Sequence, residues 1–178
     1  MKILRNFALV IVFFLVSAIT TFAQSDIIIR HNGDTIKGKL IRINEYTVVY
    51  SYDNESAENT LSRYAVEKII HGQSGRVEDI TEKIVVTSEA DWEKVIVLEE
   101  KSYIAGLKKV DEIRGQTAYI NMQTGNTGDK KALQKLKRAA AILQCPFVLI
   151  TSEKTTVGSE SNTIGGSQSI KTGVAYKY

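Results

Sequence analysis

The chain has 178 residues, 43% of them hydrophobic and 24% charged. That composition belongs to globular rather than disordered proteins. The formal charge of +3 includes Lys2 and Arg5 of an N-terminal segment expected to be removed. What remains is close to neutral, so the basic isoelectric point overstates the case for an acidic partner, and no nucleic-acid partner is expected. Cys145 is the single cysteine, which excludes an internal disulfide and a cysteine-rich metal site and leaves stability to packing.

Lys2 and Arg5 form a basic start. The apolar run Phe7 to Val16 follows, then the small polar stretch Ser17 to Thr21, and Thr21-Phe22-Ala23 places small residues at the positions a signal peptidase reads. Residues 1–23 therefore read as a cleaved secretory signal, with the mature chain starting at Gln24. The competing reading is an uncleaved anchor. Phe7 to Ala23 is marginal for a span of about 20 apolar residues, and Ser17, Thr20 and Thr21 dilute its end. With no cysteine near the cut there is no acceptor for a lipoprotein lipid. The expectation is a periplasmic or secreted protein, away from ATP, NAD and RNA, without stable membrane insertion once the signal is cut.

Residues 24–87 read as a small all-β domain. Ile27 to Arg30 is a short apolar strand. His31-Asn32-Gly33-Asp34 is a tight-turn signal, because Asn-Gly readily takes the positive φ angles of a two-residue hairpin loop. Thr35 to Ile43 alternates, with Ile36, Gly38, Leu40 and Arg42 on one face and Lys37, Lys39, Ile41 and Ile43 on the other. Asn44-Glu45 is a turn, and Tyr46 to Tyr52 is rich in the β-branched and aromatic residues of strands. Asp53 to Asn59 is a polar loop, Leu61 to Tyr64 a strand or short turn, and Val66 to His71 a strand ended by Gly72. Short strands joined by tight turns suggest a curled sheet or small barrel.

Residues 88–178 read as a β-β-α-β-β domain, making the chain α+β overall. Lys94 to Leu98 alternates. Gly106 to Gly115 supplies a second strand through Leu107, Val110 and Ile113, extended by Thr117 to Met122 beyond a bend. Thr124 to Gly128 is a loop, and Asp129 is placed to accept hydrogen bonds from the first free amides of a helix reaching about Gln144. Ala132, Leu133, Leu136, Ala139, Ala140 and Leu143 recur at helical spacing, with Lys130, Lys131, Lys135, Lys137 and Arg138 filling much of the other side. Pro146 ends the helix. Phe147 to Thr151 is a buried strand, Ser159 to Ser169 a glycine- and serine-rich loop, and Ile170 to Tyr178 the last strand.

The stretches LKKVDEIRG (107–115), LKRAAAILQCPFVLITS (136–152) and IKTGVAYKY (170–178) give residues 92–178 a pattern that resembles the YbjQ-like and RcsF-like bacterial families. The resemblance implies a strand, a helix ending in a small-residue turn and a buried strand, and an envelope-sensing role. Gln144-Cys145-Pro146 departs from that turn, and the paired cysteines and lipid anchor of the RcsF-like sensors have no counterpart here. DIIIRHNGDTIKGKLIRI (26–43) resembles the opening strands of small Sm-like and SH3-like barrels and of secreted proteins of Bacteroidetes.

His31 and His71 are the only histidines. A metal pair completed by Asp34 falls short of the usual ligand count, and a histidine beside a glycine-containing turn is expected to be exposed. No Gly-x-Ser-x-Gly elbow is present. Gly125 to Lys130 has the wrong spacing for a phosphate loop and reads as a helix entry. Lys131, Lys135 and Arg138 share one helical face at i, i+4 and i+7 and form the candidate face for an anionic ligand or partner, against the alternative of an ordinary solvated face. Lys130 and Lys131 sit near the positive end of the helix dipole, a mild cost that a bound anion would relieve. Cys145 is expected to be a small buried apolar residue, and Trp92, Tyr103 and Tyr119 to be core rather than the lining of a groove. The sequence thus points to a non-enzymatic interaction or envelope-sensing module without a cofactor, its partner an envelope protein or anionic ligand. The alternative is a periplasmic hydrolase or metal-binding protein using His31 or His71.

Overall fold

The structure is a computed structural model that describes residues 25–118, 120–121, 125–157 and 166–178. The expected signal 1–23 with its cut before Gln24, Tyr119, and residues 122–124 and 158–165 lie outside the described residues. The chain is α+β, with two sheets and one described α-helix.

The first sheet has six strands: β1 (Asp26–Arg30), β2 (Thr35–Ile43), β3 (Thr47–Tyr52), β4 (Asn59–Ser62), β5 (Val66–Ile70) and β6 (Val77–Asp79). Every pairing is antiparallel, in the order β4-β3-β2-β1-β5-β6. Its core gathers Ile28, Val48, Tyr50, Leu61, Val66, Ile69 and Ile80. Two details depart from the sequence reading. The β1–β2 loop has three residues, not two. Arg30 N–H donates to Asp34 O at 2.9 Å, and only Gly33 takes a positive φ, of 92°, the geometry of a type I turn closed by a glycine in the left-handed region. Asn32 instead bonds the Asp34 amide through Oδ1 at 3.0 Å, the local bond that short polar side chains favour in turns. In β2 the register shifts between Leu40 and Arg42. The extra residue swaps the alternation, so Ile43 joins Ile36 and Leu40 at the core while Arg42 is exposed and pairs with Glu58.

The second unit adds 3-10 turns at Glu89–Lys94 and Lys101–Ile104, then β7 (Ile96–Leu98), β8 (Lys108–Gln116), β9 (Ile120–Asn121), α1 (Gly125–Ile142), β10 (Phe147–Val157) and β11 (Gly166–Lys177). Its sheet runs β7-β10-β11-β8, with β9 also on β11 and β7 parallel to β10. Helix α1 covers one face through Leu136, Ala140 and Ala141, packed with Val86, Val95, Ile113, Cys145, Val148 and Ala175. Ile150 packs beside them, so both Val148 and Ile150 reach the Leu136 side. The helix lies directly on β8: a Cβ on Gly115 would sit 2.0 Å from Ala132 O. Only glycine permits that approach. The other face carries Leu98, Phe147, Leu149, Val174 and Tyr176.

The helix begins four residues before the expected start. Gly125 to Gly128 are helical, and Asp129 lies inside the first turns rather than at the cap. Its carboxylate accepts from Thr155 Oγ1 at 2.9 Å and faces the buried Lys171, which also pairs with Glu153 at 2.8 Å. Packing has overridden the low helix propensity of two glycines. At the other end Gln144 takes φ +55°, Gln144 N–H donates to Ala141 O and Cys145 N–H to Ala140 O, each at 2.9 Å. This is the paired bonding of a Schellman stop, with glutamine where glycine is usual. β10 and β11 each run longer than read, β10 to Val157 and β11 from Gly166, the latter within the stretch read as a loop.

The two sheets meet along an aromatic seam. Tyr46 packs on Tyr103 with ring centroids 4.6 Å apart and Tyr64 on Phe147 at 5.4 Å, while Tyr178 of the second unit lies 5.3 Å from Phe147. Ser62 N–H donates to Ala105 O at 2.7 Å, and the Arg30 guanidinium donates to Gly106 O. Along the connecting segment, Ile80 belongs to the first core whereas Ile84 and Val86 pack on the second.

Candidate functional site

The candidate cationic face is built on a helix whose opposite side is fully buried at Ala132, Leu136 and Ala140, which fixes the direction in which the basic side chains leave. Lys131, Lys135 and Arg138 are all exposed. Lys135 Nζ donates to Gln116 O at 2.9 Å, and Arg138 Nη1 pairs with Glu89 Oε1 at 3.3 Å. Beneath Arg138 and the neighbouring Lys137 lies Trp92, half-buried against the helix-side core. The Arg138 guanidinium stands 5.7 Å from its ring centroid and Lys137 Nζ 5.5 Å, within cation–π range. Lys137 Nζ also donates to Glu93 O at 3.0 Å, and burial lowers its pKa, opposed by the Glu93 charge. Trp92 is therefore neither plain core nor groove lining; it is the platform on which two cations rest. Helical spacing places the basic residues, but nothing local ties Lys137 and Arg138 to Trp92, which is more than 40 residues away in sequence.

Both histidines are held by specific partners. His31 is only 8% exposed, against the expectation of an exposed turn residue, because the segment after β6 and the end of β11 fold over the turn. Its Nε2 lies 3.0 Å from Thr81 Oγ1, whose hydroxyl donates to Val66 O at 2.7 Å. With the hydroxyl proton so directed, Nε2–H is the donor to Thr81. The imidazole meets the Tyr178 ring edge-on at 4.9 Å, and Lys83 Nζ donates to the His31 carbonyl at 3.2 Å. Burial lowers the His31 pKa; the Glu67 carboxylate opposes this, the Lys83 ammonium adds to it, and a bond to the Thr81 main chain opposes it. Beside it opens a cleft of about 640 Å³ bordered by Glu67, Asp79, Thr81, Glu82 and Lys83.

His71 sits at the β5–β6 hairpin. Its Nε2 is 2.9 Å from Glu78 Oε2, which Arg76 also bonds at 2.8 Å. The bond to His71 leads the causes that lower the Glu78 pKa. The structure does not bring His31 and His71 together as one site, and among the described residues no three metal-ligating side chains converge. Asp34 is turned to Arg30, 3.0 Å away. Cys145 is fully buried, its thiol pushed up in pKa by burial, which makes it a poor nucleophile. Among the described residues no helix is long and apolar enough to cross a membrane.

The chain matches no family model, no curated protein and no solved structure in the three comparisons.

Proposed function

We propose that this chain is a periplasmic or secreted, non-enzymatic interaction module that offers the outer face of α1 to an anionic group of an envelope protein. The observation that carries the reading is the exposure of Lys131, Lys135 and Arg138 on one side of a helix rooted at Ala132, Leu136 and Ala140. A rigid backing lowers the entropy lost when such side chains bind. Arg138 already holds Glu89 across an exposed pair, and such pairs are worth about 0–1 kcal/mol, so a partner carboxylate or phosphate can replace Glu89 at little cost. The engagement of His31 with Thr81 and of His71 with Glu78 supports a structural rather than a catalytic use of both rings.

The secretory reading of residues 1–23 supplies the compartment. The likeness of residues 92–178 to YbjQ-like and RcsF-like families supports an envelope role for the second unit. An SH3-like curl for the first sheet is supported by its order, in which β1 sits centrally and pairs with both β2 and β5.

The test is affinity capture from envelope extract by the wild-type chain and by Lys131→Glu/Lys135→Glu/Arg138→Glu, followed by direct binding of the captured species. A partner that binds the wild type in a salt-sensitive way and is lost by the charge-reversed chain is the expected result. Equal capture by both sinks the face. Hydrolytic activity or bound metal in the purified wild-type chain that is lost in folded His31→Ala/His71→Ala would replace this reading with the hydrolase or metal-binding one.

A further inference from the structure

We propose that His31 is a pH-sensitive clasp across the seam between the two sheets, closed while its imidazole is neutral and released when it is protonated. The ring sits on the β1–β2 turn of the first sheet, is bonded by Thr81 of the connecting segment and is capped by Tyr178 at the end of the second sheet. Tyr178 is itself fixed from the connecting segment: Ile84 N–H donates to its hydroxyl at 2.9 Å, and Lys83 Nζ stands 5.6 Å from its ring centroid. One imidazole thus joins its own turn to two parts of the molecule that are far away in sequence.

In the neutral ring Nε2–H donates to Thr81. Protonation adds a second N–H and a full charge to a residue that is 8% exposed. The groups facing that charge, with a bond to the Thr81 main chain among them, attract it on balance but do not offset its desolvation. From β5, Glu67 would attract it, but Glu67 is already paired with Lys68 at 2.8 Å. From the connecting segment, Lys83 repels it, while Asp79 and Glu82 line the wetter cleft beside it. Just past β11, the Tyr178 phenol stays neutral, its pKa raised by burial. On its own hairpin, Arg30 and Asp34 pair with each other at 3.0 Å. Desolvation therefore outweighs attraction, in keeping with the lowered His31 pKa.

The sign of the linkage follows. The closed form binds its proton more weakly than the open form, whose histidine is near the ordinary 6.5. Closure is complete above that pH and is lost as pH falls through it towards the closed-state value. The closed form loses about tenfold against the open one for each unit separating the two pKa values.

The experiment is amide exchange on the purified full chain at pH 7.5 and 5.0, corrected for intrinsic rates, read at the Ile84 amide. Its protection should fall at the lower pH in the wild type and in His71→Gln, and hold in His31→Gln. An NMR titration of the wild-type His31 ring should give a midpoint below 6.5 that tracks the Ile84 change, so the question stands even if His31→Gln does not fold. Unchanged Ile84 protection, the same fall in His31→Gln, or a His31 midpoint at or above 6.5 would overturn the clasp.

Discussion

The two sheets solve the same problem in different ways. In the first, β1 to β4 follow one another as neighbouring hairpins and β5 returns to pair with β1. Alternation and turn chemistry set nearly all of it. In the second, β7 pairs in parallel with β10 and β8 pairs with β11, both across the helix in sequence, and the sheet depends on α1 to cover one face. Where neighbours in sequence are neighbours in space, local signals suffice; where a helix must seat on a strand, one contact geometry such as Gly115 against Ala132 decides whether the layer closes. The glycines show this. Gly33 has nothing within 4 Å of a built Cβ and is needed only for its φ, whereas Gly115 is needed for space.

The sharpest way to break the comparison is Leu136→Asp. Truncating a buried leucine already costs about 2–5 kcal/mol, and a carboxylate at a fully buried position adds the penalty of an unpaired charge. The second unit should lose amide protection in hydrogen exchange while β1 to β5 keep theirs. Loss of protection in both sheets would show that the aromatic seam makes one cooperative core, and that the boundary between residues 87 and 88 is not a domain boundary.

Next comes the glycine pair. Gly115→Ala must push α1 off β8 and should cost about 1–3 kcal/mol, the range for overpacking, seen as a lower denaturant midpoint of the second unit. Gly33→Ala carries only the left-handed strain of its φ, about 1–2 kcal/mol, and should register in the first sheet. Equal effects on both sheets from either variant would again argue for a shared core.

Smaller still, and opposite in sign, Gln144→Gly should stabilise the second unit by up to about 1 kcal/mol. It relieves a non-glycine left-handed residue, though it forfeits the 3.3 Å bond from Gln144 Nε2 to Thr87 O. A lower melting temperature for Gln144→Gly would mean that this bond outweighs the strain. The smallest effect is expected for Lys135→Asp, within about 0.5 kcal/mol. Damage approaching that of Leu136→Asp would mean that the exposed face of α1 is misassigned.

The sequence alone determined the α+β class, most strands, the helix and its buried stripe, because periodicity and turn residues act over a few neighbours. It also exposed Lys131, Lys135 and Arg138, since helical spacing alone orders that face. Tertiary structure decided the rest. A bulge in β2 turned Ile43 inward and Arg42 out, a choice made by pairing with β3. The helix took in Gly125 to Gly128 and set Asp129 against Thr155 and Lys171, because contacts with β10 and β11 outweigh local propensity. His31 was buried, and Trp92 placed under Lys137 and Arg138, by segments more than 40 residues away. Burial and charge pairing depend on what the rest of the chain brings alongside, and no local pattern carries that information.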